Sequence, residues 1–88
     1  MSDYRIIDCD LHDRYEIAAL RGRRLLLSWL DDTGAIRREV VTPDNLVTTA
    51  EGEFLIGTAG CARPVRIRLD RIAQARDIEA RRDFPRPR

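Results

Sequence analysis

Lysine is absent from this 88-residue chain, and all sixteen of its basic residues are arginine. Arginine forks match phosphate and carboxylate geometry. The plainer source of such a bias is a base composition that favours arginine codons, so the absence assigns no partner. Histidine occurs once, as His12, which excludes a metal site built on several imidazoles and a relay between two of them. Serine is scarce as well. Ser2 is terminal and Ser28 lies in a strand-like run far from any GxSxG elbow, so a serine nucleophile has no setting. Cys9 and Cys61 form no CxxC pair, which leaves no thioredoxin-type or zinc motif. They are read as reduced thiols buried in the core. Gly52, Gly57 and Gly60 match neither standard phosphate-loop spacing, so no nucleotide cofactor is indicated. No apolar run approaches the roughly 20 residues that span a bilayer. Met1 to Arg5 is polar and acidic where a secretory signal is basic and then apolar. A cytoplasmic location is therefore expected.

What remains is globular in kind. Hydrophobic residues make up 43% and charged residues 35% of the chain, enough for one modest core under a wet surface. The net charge of +1 conceals an asymmetry, because residues 1–20 sum to −3 and the other residues to +4. An acidic head on a mildly basic body suggests a head that meets something positive.

Asp10 reads as the N-cap of a helix that runs from Leu11 to Leu20 and stops at Gly22. At 100° per residue, Leu11, Tyr15 and Ala18 share one side, and His12, Asp13 and Glu16 lie nearly opposite with Leu20 beside them. Beyond the helix the pattern becomes that of strands. Leu25, Leu27 and Trp29 alternate onto one face, so Trp29 is read as core. Asp31-Asp32-Thr33-Gly34 is turn chemistry, and residues 35–42 return as the second arm of a hairpin. Pro43-Asp44-Asn45 is expected to break that arm, with a further turn over residues 48–52 and a strand over residues 53–58. Val65, Ile67, Leu69 and Ile72 are the inward series of the last strand, which Pro64 can open. The predicted fold is mainly β with one N-terminal helix, a small antiparallel barrel or strongly bent sheet capped by that helix. Residues 1–76 form the single domain, and residues 77–88 read as a polar, flexible tail.

Few constellations could carry chemistry. Cys9 and His12 are the sole nucleophile and base close in sequence, and no third group orients them. The carboxylate pairs Asp10/Asp13 and Asp13/Glu16 suit the first turn of a helix, and a chain this short has little room for the enclosed cleft that acid–base catalysis requires. A non-enzymatic protein without metal or cofactor is expected. On the basic side, Arg63, Arg66 and Arg68 could follow an RNA backbone, with Trp29 or Phe54 available to stack bases.

The stretch from Tyr4 through Ile7, Cys9-Asp10, Asp13 and Glu16 to Ala18 resembles the opening of the Rof (YaeO) family of Rho-binding transcription antiterminators, whose spacing of these residues it keeps. A second block, residues 67–72, looks like the family's closing strand, so the resemblance extends over residues 3–75. It implies an Sm-like small β-barrel with the helix laid against it. It also implies binding to the RNA-recognition domain of Rho, the hexameric helicase that terminates transcription, so that RNA cannot load and termination is inhibited. A surface made to hold RNA is positive, and carboxylates on a helix can occupy it in place of phosphates. On this reading Asp10, His12, Asp13 and Glu16 form the contact, the loop residues Thr49, Ala50 and Glu51 add to it, and the protein is a monomer that does not itself bind RNA. The alternative is an Sm-like RNA-binding module that uses the arginine-bearing strand face.

Overall fold

The computed structural model describes residues 7–85. Tyr4 of the resemblance and residues 86–88 of the expected tail lie outside them. Helix α1 spans Cys9–Arg21, and its N-cap is Asp8 rather than Asp10. Asp8 holds a non-helical ψ of 145°, and its carbonyl accepts the His12 N–H at 2.9 Å. The helix thus begins where a backbone bond first closes, without a side-chain cap bond, and Asp10 falls inside the first turn. The C-terminus is as the sequence predicts. Gly22 takes the left-handed conformation at φ 62°, and the N–H groups of Arg23 and Gly22 donate back to Ala18 and Ala19 at 2.9 and 3.3 Å. That pairing closes a helix best on glycine, which has no Cβ to clash.

Strands β1 (Leu25–Leu30), β2 (Ile36–Thr49), β3 (Gly52–Ala59), β4 (Arg63–Arg68), β5 (Ile72–Asp77) and β6 (Arg82–Asp83) follow. The β1–β2 turn is held by Asp31, whose Oδ1 accepts Thr33 N–H, Thr33 Oγ1–H and Ala35 N–H at 2.9, 2.6 and 3.0 Å. Pro43-Asp44-Asn45 does not end a strand. β2 continues through it for 14 residues, because a bulge takes up the irregularity: Pro43 pairs with Gly57 and Asn45 with Ile56, which leaves Asp44 as the extra residue. A bulge tolerates a proline that lacks its N–H. Gly57 makes the close approach feasible, since a Cβ there would lie 2.4 Å from the Thr42 carbonyl oxygen.

The last expected strand also divides. β4 ends at Arg68, a 3₁₀ turn occupies Leu69–Arg71, and β5 starts at Ile72. Ile67, Leu69 and Ile72 are nevertheless all buried, so the inward series survives the turn. The sheet is antiparallel in the order β4-β3-β2-β1-β5-β6. In a flat sheet, β4 and β5 would stand about 19 Å apart at the usual strand spacing. Three 3₁₀ residues cover only about 6 Å, so the sheet must curl strongly to let this turn join them. It does not close: among the described residues no ladder joins β4 to β5, and the barrel expected from the sequence is an open, curled sheet.

The concave side holds Leu25, Leu27 and Trp29 of β1, Val41 of β2, Leu55 of β3 and Ile67 of β4, and α1 covers it with Leu11, Tyr15 and Ala18. Each fully buried aliphatic side chain here stabilises by about 1.5–3 kcal/mol relative to exposure. The segment after residue 76 is not a loose tail as far as residue 85. β6 pairs with the end of β5, the Phe84 N–H donates to Ala75 at 2.8 Å, and the Phe84 ring lies 5.1 Å from that of Tyr15. One aromatic side chain is enough to draw a polar segment onto the core. Burial in turn pushes the Tyr15 phenol upward from its ordinary pKa.

Candidate functional site

The buried stripe of α1 fixes which residues face water. With Leu11, Tyr15 and Ala18 turned inward, Asp13, Glu16, Ile17 and Leu20 are exposed on the far side. No arginine of the helix follows either acid at contact spacing. The residues three and four positions beyond Asp13 are Glu16 and Ile17, and those beyond Glu16 are Ala19 and Leu20, so neither acid has an arginine at helical contact distance on its C-terminal side. Among the described residues Asp13 makes no ion pair.

His12 is placed differently from the free imidazole expected. Its Nδ1 lies 2.9 Å from Glu16 Oε1 and its Nε2 2.5 Å from Glu53 Oε2. Half-buried between helix and sheet, the ring ties α1 to the start of β3 and orients Glu16. Sequence reasoning had assigned Glu53 only to a strand. No periodicity marks a contact between positions so far apart in the chain.

The loop residues make their own contacts. Thr49 ends β2, and Ala50 and Glu51 form the turn. Thr49 Oγ1 donates to Glu51 Oε2 at 2.9 Å and accepts the Glu51 N–H at 3.1 Å. The hydroxyl bond is the main reason the Glu51 carboxyl sits below the usual carboxylate range, with a smaller contribution from Arg66. Glu51 lines a shallow depression with Phe54, Arg66 and Arg68, in which no α1 residue takes part. Asp13 and Glu16 line a groove beside the helix, Glu51 lines the depression beside the arginines, and Glu53, two residues on from Glu51, meets His12 of the helix. Asp10 is exposed in the first turn of α1.

The bulge supplies what the sequence did not suggest. It carries Asp44 and Asn45 to the edge of a groove of about 500 Å³ between α1 and β2, lined on the helix side by Asp13, Glu16, Ile17 and Leu20 and on the strand side by Asp44 and Leu46. Three carboxylates line it together with the apolar Ile17, Leu20 and Leu46. Leu20 is 86% exposed and Ile17 48%, an unusual loss of apolar burial on adjacent turns of one helix. Asp44 had been read only as part of a strand break.

The arginine face is a different environment. Arg68 meets Asp70 through two hydrogen bonds of 2.8 and 2.6 Å, Arg63 meets Glu39, and Arg71 reaches Asp32 at 3.4 Å. Arg66 lies over the Phe54 ring, 3.9 Å from its centroid, a cation–π contact. Cys9 and Cys61 are both exposed and not in the core: one opens the helix, and the other lies in the β3–β4 turn. No helix among the described residues is long and apolar enough to cross a membrane.

Comparison with protein-family models, with curated proteins and with solved structures found no match for this chain.

Proposed function

We propose that this protein acts by docking, without catalysis, and that the outer face of α1 occupies a cationic RNA-binding surface in place of RNA. The resemblance of its N-terminal block makes the RNA-recognition domain of the terminator Rho the receptor, with inhibition of Rho-dependent termination as the result. The observation that carries the reading is the state of the charges. Asp13 faces water without an ion pair among the described residues, and Glu16, held by one oxygen to His12, keeps a side chain that is 57% exposed. A carboxylate without an internal ion pair, as Asp13 is, keeps its attraction for an external cation, and the exposed oxygen of Glu16 adds to it, so receptor arginines and lysines can replace solvent around them. The strong curl of the sheet supports an Sm-like view of the fold, in which the helix caps one side of a barrel-like core.

The RNA-binding alternative is less well supported. Arg63 and Arg68 are engaged by Glu39 and Asp70, and binding a phosphate there requires breaking those pairs. The test is a titration of the labelled protein with the N-terminal domain of Rho. Shifts should centre on Asp13, Glu16 and their neighbours, cytidine-rich RNA should compete, and D13K/E16K should remove binding while the spectrum stays folded. Unchanged binding by that variant, or RNA binding by the protein alone that is lost in R63Q/R66Q/R68Q, would count against the proposal.

A further inference from the structure

The structure assigns the groove between α1 and the β2 bulge to a cationic amphipathic segment of the partner protein, one that inserts a leucine-type side chain over Ile17 and Leu20 and places arginine or lysine beside Asp13, Glu16 and Asp44. This inference rests on the docking reading and names the chemistry of what docks. If mimicry of phosphates were the whole interaction, carboxylates alone would be sufficient. Here the carboxylates share the groove with apolar side chains: Ile17 and Leu20 are exposed one turn apart on the helix, and half-buried Leu46 lines the strand side. Charge complementarity selects among occupants. No arginine lines the groove, so an anionic lipid surface or a nucleic acid meets three like charges there, whereas a basic helix meets three opposite ones. The apolar lining selects further, because a purely ionic contact leaves Leu20 in water, and a segment with apolar residues at helical spacing removes it. Asp44 is necessary to this arrangement, and it reaches the groove only because the bulge leaves it out of the β2–β3 pairing.

The experiment uses the full chain and three probes: a peptide of arginines with leucines at i, i+3/i+4 spacing, the same peptide with serine at every leucine, and the Rho N-terminal domain. The leucine peptide should shift Ile17, Leu20 and Leu46. Serine in the peptide, or Leu20→Ser in the protein, should each weaken binding about tenfold, as loss of a central anchor does. Raising salt from about 0.05 to 0.5 M should weaken the leucine peptide less than the serine peptide, because screening acts on the ionic part alone. Equal binding of the two peptides overturns the inference, and so does self-association that buries Leu20 between two copies. Rho binding that survives Leu20→Ser removes the groove and leaves the helix-face reading in place. Peptide binding without Rho binding removes Rho and leaves the groove. Leu20 is so exposed that its replacement does not threaten the fold.

Discussion

On β4 and the turn that follows it, Arg63 meets Glu39, Arg68 is gripped by both oxygens of Asp70, and Arg71 reaches Asp32. On α1 and across its groove, Asp13 and Asp44 face water with no ion pair among the described residues. The two regions are both rich in charge, yet the first has paired three arginines with acids, whereas in the second only Glu16 is tied, to His12, and Asp13 and Asp44 are left to solvent. The cause is where each element places its charges. Arg68 meets Asp70 across the start of the 3₁₀ turn, and the sheet brings Glu39 of β2 and Asp32 of the β1–β2 turn within reach of Arg63 and Arg71. In the helix, contact runs at three and four positions, and the sequence places an acid, an alanine or an aliphatic residue at those offsets beyond Asp13 and Glu16. The number of charges on a surface therefore says little about its readiness for a partner.

That comparison can be broken most forcefully on the arginine side. The side chains of Arg68 and Asp70 are only 13% and 5% exposed, so Asp70→Ala leaves a guanidinium short of its carboxylate and should destabilise by about 3 kcal/mol, read from the denaturation midpoint. A loss within about 0.5 kcal/mol, the range of ordinary surface changes, would mean that these arginines are as available as the helix acids.

Gly57→Ala tests the groove from beneath. The added methyl group meets the Thr42 carbonyl and Pro43 backbone, so about 2 kcal/mol of stability should be lost. Amide shifts should spread through residues 42–46, and peptide binding should fall even at temperatures where the variant remains folded.

Acid sharpens the contrast further. Asp31 and Glu79 have carboxyls held below their ordinary range, first by the hydroxyl of Thr33 and by Arg24 respectively. Groups with depressed folded-state values stabilise fully above about pH 4 and lose that contribution as pH falls through the folded value. Stability should therefore decline on acidification below pH of about 4, and Asp31→Asn should make the decline shallower. A curve identical to that of the parent protein would exclude Asp31 from it. The smallest effect belongs to the helix: Asp13→Ala and Glu16→Ala should change stability by less than about 0.5 kcal/mol while they weaken docking. A large loss of stability would show that these acids serve the fold.

Much of the fold was legible before any coordinates. Leu11, Tyr15 and Ala18 repeat at helical spacing, Gly22 follows where a left-handed residue must stand, and Leu25, Leu27 and Trp29 alternate as a half-buried strand does. These signals are local, and they held. What misled was also local. Pro43 looked like the end of a strand because the glycine that accommodates it lies 14 residues away, and residues 77–85 looked like a tail because the partner of Phe84 is Tyr15. The same limit hid the contact of His12 with Glu53, since no pattern along the chain joins positions so far apart.

By itself, the order of residues determined the helix, its dry and wet faces, the Asp31 turn and the presence of unmatched carboxylates near the start of the chain, because each depends on neighbours within about one or two turns of backbone. Only the tertiary structure decided that Asp44 joins those carboxylates, that His12 is clasped by Glu53 and that Arg63 of β4 already has a partner in Glu39. Those contacts join positions remote in sequence, and they exist only once the curled sheet and its bulge have brought them within hydrogen-bonding distance.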